Sequence, residues 1–165
     1  GPYQFPEKLI PLTILKALRN QPITVYGDGK NIRDWIFIDD HVDALMAIYQ
    51  KGKSGQTFCI GGNNERSNID IVENICKLLD KFKFKTNFYQ QFITFVEDRP
   101  GHDKRYSIDS KLINKKIGWE PKHKFEDALE KTVRWYLDNQ AWCNYISKKG
   151  NYDGRRMGKV SKLNK

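Results

Sequence analysis

The stretch "DRPGHDKRYSID", residues 98–109, combines several charged side chains with a predicted turn. Pro100 and Gly101 favour a turn, which would direct Arg99 and His102 in ways that a helix would not allow. A guanidinium group can bind two phosphate oxygens in parallel, and an imidazole can donate a further hydrogen bond. The loop therefore suits a diphosphate. Composition alone favours another interpretation, a solvated loop whose arginines pair with its own aspartates.

Arg33 is a second candidate for a phosphate contact, because it follows a glycine-rich turn and precedes an apolar strand. The same arginine could equally be paired with Asp34 or with the acidic residues that follow it. A third candidate is "GGNNERSNID", residues 61–70, where two glycines follow a predicted strand and polar residues precede a helix. The N-terminus of a helix favours anions or hydroxyl-rich ligands.

Other chemistries lack support in the sequence. The segment "IDDHVD", residues 38–43, resembles a metal cluster, but successive helical residues point to different faces, so helix capping by Asp39 or Asp40 is favoured. No GxGxxG fingerprint of a dinucleotide site occurs. No serine nucleophile turn of a Ser-His-Asp triad occurs either. Cys59, Cys76 and Cys143 are widely spaced, which predicts buried free thiols rather than a metal site.

The elements that must position these residues alternate between strands and helices, which predicts an α/β fold. Helices are predicted over 7–19, 41–50, 67–84, 109–118 and 125–136, the first with Pro11 in its opening turn. Strands are predicted at "PITVY", "IRDWIFI", "QTFCIGG", "FITFV" and "RYSI". Ser67 and Asp70 have the spacing of a capping box, and Gly118 is placed to end a short helix.

The 165 residues carry a net charge of +9, but residues 146–165 contribute +6 of it. A basic tail on a nearly balanced body indicates a mobile, solvated end, so nucleic-acid binding is not expected. No apolar run approaches the roughly 18 to 20 residues of a membrane span, and no signal peptide is recognisable, so a cytoplasmic protein is expected. The chain begins within what reads as a loop, so it is expected to be part of a longer protein.

Several segments taken together resemble the C-terminal half of the dTDP-glucose 4,6-dehydratase family, which belongs to the extended short-chain dehydrogenases/reductases. These segments are "GPYQFPEKLIPL", "VYGDGKNIRDWIFIDDHVDAL", "FCIGGNNERSNIDIV", "DRPGHDKRYSID", "IGWEP" and "FEDALEKTVRWYL". Related epimerases and decarboxylases share the "VYGDG" stretch, whereas the "RPGHD" loop is the discriminating element. The resemblance weakens after about Trp142.

The resemblance implies a fold and indicates which part of the protein binds substrate and which part binds NAD and carries the catalytic residues. Residues 1–145 would be the C-terminal substrate-binding domain plus the last strand and helix elements of an NAD-binding Rossmann domain that is otherwise missing, and residues 34–62 would pack with that domain. NAD would be bound by the missing part, where the family's Tyr-x-x-x-Lys pair and Thr-Asp-Glu stretch also lie. No catalytic residue is therefore expected in this chain, which alone should be inactive. The complete enzyme would be a homodimer.

The resemblance also implies contacts with a dTDP-sugar. Lys8 and Leu9 would contact the nucleotide sugar, residues 24–26 would face the thymidine, and Asn68 would supply a hydrogen bond. Arg33, Arg99 and His102 would hold the diphosphate. The implied positions are Lys8, Leu9, Thr24, Val25, Tyr26, Arg33, Asn68, Asp98, Arg99, Pro100, Gly101, His102 and Tyr152.

The function expected is thus the substrate-binding portion of a lyase that converts dTDP-glucose to dTDP-4-keto-6-deoxyglucose in deoxysugar biosynthesis of the rhamnose type. Two alternatives stay open at this point. One is a related NAD-dependent nucleotide-sugar epimerase or decarboxylase. The other is a non-catalytic nucleotide-sugar-binding module.

Overall fold

The computed structural model describes residues 1–83 and 87–150, and its elements confirm the predicted α/β class. The helices are α1 (Leu9–Leu18), α2 (Ile38–Lys51), α3 (Asn68–Phe82), α4 (Lys111–Ile117), α5 (Phe125–Asp138) and α6 (Gln140–Lys149). The strands are β1 (Ile23–Tyr26), β2 (Ile32–Asp34), β3 (Glu65–Ser67), β4 (Ile93–Val96) and β5 (Arg105–Tyr106). A short 3-10 helix, Tyr89–Phe92, leads into β4.

Local signals set the start of α3 and the end of α4 as predicted, and allow Pro11 in the first turn of α1. The Ser67 hydroxyl accepts a hydrogen bond from the Asp70 amide at 3.2 Å, and the Asp70 carboxylate accepts one from the Ser67 amide at 3.3 Å, which forms the capping box of α3. Pro11 is the third residue of α1, where its missing N–H removes no intrahelical bond. Gly118 ends α4 with a φ of +74°, a conformation that favours glycine.

The strands form two small sheets. Strand β1 pairs in parallel with β4, so that Tyr26 lies opposite Val96 at the carboxyl end of both. Strand β2 is the centre of the second sheet, with β3 antiparallel on one side and β5 parallel on the other. The Gly27 amide extends the first pair by donating to the Val96 carbonyl at 2.9 Å. Loops that follow β1 and β4 therefore leave the same edge of the sheet.

The main core lies between β1 and the helices α1, α3, α5 and α6. Ile14, Ile23, Ile75 and Val133 are at most 1% exposed, and each such side chain contributes about 1.5 to 3 kcal/mol by leaving water. A second, smaller cluster joins α2 to α4 through Ala44, Ile113, Ile117 and Trp119. Because α3 and β1 pack in the same main core, the N-terminus of α3 has a fixed position relative to β1.

Three predicted strands are wrong in whole or in part, and of "RYSI" only Arg105–Tyr106 is a strand. Residues 56–62, "QTFCIGG", are not a strand, and Cys59 within them is exposed, whereas Cys76 and Cys143 are buried as predicted. In "IRDWIFI" only Ile32–Asp34 is a strand. An apolar segment becomes a strand only where another strand supplies hydrogen-bond partners. Within the described part of the chain, no strand pairs with residues 56–62.

The first residues of the predicted basic tail are helical. Residues 146–149 complete α6, and Ser147 is buried there with its hydroxyl donating to the Cys143 carbonyl at 2.8 Å. Residues 151–165, including Tyr152, lie outside the described residues. None of the helices that the structure describes has the length and apolar character that a bilayer crossing requires.

Candidate anion-binding site

The loop after β4 contains a tight turn of the predicted kind. The His102 amide donates to the Arg99 carbonyl at 3.2 Å, which closes a four-residue turn with Pro100 and Gly101 at its centre. Gly101 has a φ of +67°, as the third residue of a type II turn requires. No atom lies within 4 Å of the position that a Cβ on Gly101 would take, so the backbone conformation alone calls for glycine.

Asp98 organises this turn from within. Its Oδ1 accepts the Arg99 amide at 2.8 Å and lies 2.7 Å from Nδ1 of His102. Because an ionised carboxylate can only accept, Nδ1 of the imidazole carries the proton. The hydrogen bond from His102 is the main cause that holds the pKa of Asp98 below its ordinary value. The His102 side chain is only 5% exposed, so its orientation is fixed by the protein.

The pairing of the loop's arginines with its own aspartates, which composition favoured, is wrong. Arg105 instead bonds Glu65 on β3 at 2.9 and 2.6 Å. The Asp103 carboxylate accepts the hydroxyl of Tyr106. The guanidinium of Arg99 has no carboxylate partner among the described residues. Arg99 is thus a partly buried cation left available for an anion.

The guanidinium of Arg33, like that of Arg99, pairs with no carboxylate among the described residues. Its Nη1 donates to the backbone carbonyl of Ile32 at 2.6 Å, and its Cζ lies 4.7 Å from the centre of the Tyr106 ring. Asp34 does not pair with it, because that carboxylate accepts the Gly62 and Asn64 amides, each at 2.7 Å. Within the described ranges Arg33 therefore also lacks a carboxylate partner.

The charges of Arg33 and Arg99 both act on the hydroxyl of Tyr106. The hydrogen bond from Tyr106 to Asp103, with the negative charge of that carboxylate, raises the pKa of the Tyr106 hydroxyl, while the nearby charges of Arg33 and Arg99 act in the opposite direction. The glycine turn after β1 touches the same loop, since a Cβ on Gly27 would lie 3.0 Å from Oδ2 of Asp98. The site is therefore built where the carboxyl ends of β1 and β4 meet, as is usual for ligand sites on parallel strands.

Asn31 connects this loop to the N-terminus of α3, and sequence reasoning missed it. Its side-chain Nδ2 donates to the backbone carbonyl of Asp103 at 3.3 Å, and its backbone carbonyl accepts a hydrogen bond from the backbone amide of Asn68 at 3.0 Å. Asn31 is 8% exposed, which is unusual for asparagine. Tyr106 was missed as well. The available signals were a polar residue two positions after the Gly-Asp-Gly turn, for Asn31, and an aromatic residue at the end of the charged loop, for Tyr106.

The predicted residues of β1 differ in their exposure. Val25 is 2% exposed and packs in the main core, whereas Thr24 and Tyr26 are partly exposed. The Thr24 hydroxyl accepts a hydrogen bond from Nζ of Lys16 at 3.3 Å, and burial lowers the pKa of that lysine. Only Thr24 and Tyr26 therefore offer side chains to a ligand along this strand.

Leu9 is the first residue of α1 and Lys8 is its N-cap, and β1 returns along this helix after the turn at residues 19–22. From the contact between Lys16 and Thr24, the helix extends about 10 Å to Leu9 and the strand about 10 Å to Gly27. The two ends thus lie on the same side of the fold as the loop at 98–102. Nζ of Lys8 lies 2.7 Å from the Glu7 carboxylate, and its side chain is 58% exposed.

The acidic segment at the start of α2 has a different role from the predicted cap. Helix α2 has Phe37 at its N-cap, with no capping hydrogen bond from a side chain. Asp40 accepts instead from the amides of Lys122 and His123 at 3.1 and 3.2 Å, and its Oδ1 lies 2.9 Å from Nδ1 of His123. No group of three histidine, cysteine, aspartate or glutamate side chains able to hold a metal ion occurs in the part of the chain that the structure describes.

Comparison with known proteins supports a single family. Residues 1–132 match the profile of the family described as GDP-mannose 4,6 dehydratase. The dTDP-glucose 4,6-dehydratase of Salmonella typhimurium is 48% identical over 163 residues, covering 94% of this chain and 45% of that protein. That of Neisseria meningitidis serogroup B is 49% identical over 162 residues, with 96% and 45% covered. The chain spans about half the length of the curated relatives it matches.

Solved structures agree with this assignment. The dTDP-glucose 4,6-dehydratase of Bacillus anthracis, in complex with NAD, has a TM-score of 0.78 and 43% identity, covering 88% of this chain and 44% of that one. The DesIV enzyme of Streptomyces venezuelae, with NAD and TYD bound, has a TM-score of 0.79 and 38% identity, covering 88% and 43%. A UDP-glucuronic acid 4-epimerase of Bacillus cereus has a TM-score of 0.70 and 26% identity, covering 84% and 42%. The chain therefore belongs to the GDP-mannose 4,6 dehydratase family, with dTDP-glucose 4,6-dehydratases among its similar relatives.

Proposed function

We propose that this chain is the substrate-binding portion of a dTDP-glucose 4,6-dehydratase, a lyase that converts dTDP-glucose to dTDP-4-keto-6-deoxyglucose with bound NAD. One observation carries the proposal. Arg33 lies over the Tyr106 ring at 4.7 Å, and Arg99, which shares a turn with a fixed His102, is near enough for its charge to act on the Tyr106 hydroxyl, while neither arginine has a carboxylate partner in the described residues. Two guanidinium groups and an imidazole are suited in charge and in hydrogen-bond donors to a diphosphate. The named relatives support the thymidine nucleotide as the form of that diphosphate.

The predicted contacts acquire distinct roles in this proposal. Arg33 and Arg99 bind the diphosphate oxygens, and His102 donates to them from Nε2 in its doubly protonated form, in which Nδ1 donates to Asp98 and holds the ring. Asn68, at the first turn of α3, supplies a hydrogen bond. Thr24 and Tyr26 present side chains to the nucleoside. The interactions above give no role to Lys8, Leu9 or Val25, and Tyr152 lies outside the described residues.

Catalysis and cofactor binding are assigned to another part of the protein. The chain contains no GxGxxG fingerprint, so its own residues do not fit a complete dinucleotide site. NAD would supply hydride transfer from a domain outside this chain. Measurable dehydratase turnover by the 165 residues with added NAD would contradict this division.

An apolar face supports the proposed contact between residues 34–62 and that NAD-binding domain. Val42, Leu45, Met46 and Tyr49 on α2 are 48 to 84% exposed, an apolar surface that a soluble monomer seldom leaves uncovered. The proposal extends to a cytoplasmic homodimeric enzyme of deoxysugar biosynthesis. Size-exclusion chromatography with light scattering on the complete protein tests the dimer.

Calorimetric titration of the complete protein with dTDP and with UDP tests the nucleotide site. We expect dTDP to bind more tightly than UDP, and Arg99→Ala and His102→Ala each to weaken dTDP binding at least about tenfold, because a charged hydrogen bond is lost. Arg134→Ala is the matched control. Its guanidinium bonds Glu130 and lies over Phe82 at the far end of α3, about 20 Å along that helix from Asn68. Unchanged dTDP affinity in both loop variants would refute the site.

A related epimerase is the second candidate, favoured by the structural similarity to the Bacillus cereus enzyme solved with UDP-glucuronic acid and NAD. The titration separates the two, because an epimerase of that kind would prefer UDP. Identification of the product formed from dTDP-glucose by the complete protein gives a second criterion. A 4-keto-6-deoxy sugar supports the dehydratase, and a 4-epimer supports the alternative.

A further inference from the structure

Tyr106 lies directly opposite Arg33 across the parallel pair β2 and β5. The guanidinium Cζ is 4.7 Å from the ring centre, a separation typical of a cation–π contact. The ring is 56% exposed, so Tyr106 belongs to neither hydrophobic core. An exposed aromatic residue on a two-residue strand beside two unpaired arginines has no evident role in packing.

The ring is anchored through its hydroxyl, and the residues around it are held in turn. The Tyr106 hydroxyl donates to the Asp103 carboxylate, and the Asp103 carbonyl accepts from Nδ2 of Asn31. The neighbouring Arg105 is fixed by its two hydrogen bonds to Glu65. The Tyr106 ring is therefore a prearranged surface and not a side chain that adapts to Arg33.

Arg33, in contrast, is weakly held apart from this contact. The structure gives its guanidinium one hydrogen bond, from Nη1 to the carbonyl of Ile32, the residue before it. A long side chain that must be ordered when a ligand binds loses rotamer freedom, and that loss lowers affinity. A ring that orders the guanidinium beforehand removes part of that cost.

We infer that Tyr106 is a positioning residue that holds the guanidinium of Arg33 in the orientation in which it binds the diphosphate. This inference rests on the proposed function of the site. Tyr106 acts through Arg33, and Asp103 acts through Tyr106. The ring matters for Arg33, while the hydroxyl matters for the placement of the ring.

Substitutions at Tyr106 test the inference by dTDP titration of the complete protein. Tyr106→Leu removes the ring and is expected to weaken dTDP binding by about threefold to tenfold, the range of a partly exposed cation–π contact. Tyr106→Phe keeps the ring but loses its anchor to Asp103, and is expected to weaken binding clearly less than Tyr106→Leu. Tyr145→Leu is the matched control, because Tyr145 is 59% exposed and also lies near a cation, Lys149 at 5.8 Å, but on α6. This control should leave dTDP affinity unchanged.

A double-mutant cycle with Arg33→Ala separates positioning from a direct contact. If Tyr106 acts through Arg33, Tyr106→Leu has no further effect in the Arg33→Ala background. An equal loss in both backgrounds, or a Tyr106→Phe variant as weak as Tyr106→Leu, overturns the inference. Failure of the proposed function is distinguishable, because then Arg33→Ala itself would leave dTDP affinity unchanged. If Arg33→Ala weakens binding and Tyr106→Leu does not, only the positioning role is refuted.

Discussion

Arg105 and Glu65, forty residues apart, form two hydrogen bonds of 2.9 and 2.6 Å across the outer strands of the β3-β2-β5 sheet. The Glu65 carboxylate also accepts the hydroxyl of Ser107. This pairing occupies one arginine of the charged loop completely. Arg99, six positions earlier in the same loop, has no such partner within the described residues. The difference between these two arginines separates an anchor of the loop from a candidate ligand contact.

The Glu65 pair predicts an unusual acid titration. The hydrogen bond from Arg105 is the main cause that lowers the pKa of Glu65 to about 2, from an ordinary value of 4.5. Because the folded pKa lies below the unfolded one, the contribution to stability is fully present above pH 4.5 and is lost as the pH falls toward 2. Carbon-13 NMR of the Glu65 carboxyl should place its midpoint far below 4.5. In Arg105→Ala the midpoint should return toward 4.5, and a midpoint of 4.5 in the unaltered protein would contradict the pairing.

Asp98 is expected to affect ligand binding through His102. Asp98→Ala removes the acceptor for both the Arg99 amide and the imidazole, so dTDP affinity should fall by about threefold to tenfold. Asp98→Asn keeps an oxygen at the same place and should give a smaller loss. Titration calorimetry of the two variants side by side measures the difference. An Asp98→Ala variant that binds dTDP as well as the unaltered protein would exclude the proposed organising role.

Three glycines with positive φ should respond differently to alanine. Gly27→Ala combines a φ of +57° with a Cβ 3.0 Å from Asp98, so we expect it to lower both stability and dTDP affinity. Gly55→Ala has a φ of +83° but no atom within 4 Å, so it should cost about 1 kcal/mol of stability and leave affinity unchanged. Gly101→Ala has a φ of +67° and the same open surroundings, so it should cost a similar amount of stability, about 1 kcal/mol, and in addition lower dTDP affinity because it lies within the loop itself.

Thermal unfolding and dTDP titration of the three alanine variants separate these cases. Gly55→Ala is the control for backbone strain alone. The contact between the glycine turn and Asp98 would be refuted by a Gly27→Ala variant whose dTDP affinity equals that of Gly55→Ala.

Asp40 is expected to be important for stability, although it is remote from the charged loop in sequence. It is 2% exposed and accepts hydrogen bonds from two amides and from His123. Burial pushes its pKa upward, but the hydrogen bonds outweigh that effect and the pKa lies below the ordinary value. Asp40→Ala leaves three donors unpaired and should lower the free energy of unfolding by about 2 to 4 kcal/mol.

Asp43→Ala is the matched control for Asp40. Its carboxylate pairs with Nζ of Lys122 at 2.8 Å, but both side chains are exposed, so the loss should stay below about 1 kcal/mol. Chemical unfolding curves of the two variants provide the comparison. Equal losses would show that burial does not decide the strength of the Asp40 contact. Because the folded pKa of Asp40 is lowered, its contribution is present above the unfolded value of 3.8 and declines as the pH falls below it.

Local features of the fold could be predicted from the sequence because neighbouring residues generate them. The capping box needs only Ser67 and Asp70 at the right spacing, and the turn at Pro100 and Gly101 needs only the φ preferences of those two residues. The apolar periodicity of α5 likewise predicted its buried face, from Phe125 to Tyr136. The segment at residues 56–62 failed for the complementary reason, since a strand depends on a partner that its own sequence does not contain.

The sequence by itself determined which residue types surround the charged loop, and only the tertiary structure decided which of their charges are satisfied. Before folding, every arginine of the loop has several carboxylates within a few residues, and their pairings are close in energy. Strand register then brought Glu65 to Arg105 and the Tyr106 ring to Arg33, while Asp98 was engaged by His102. Long-range placement, which no local pattern encodes, thereby left Arg33 and Arg99 available to an anion.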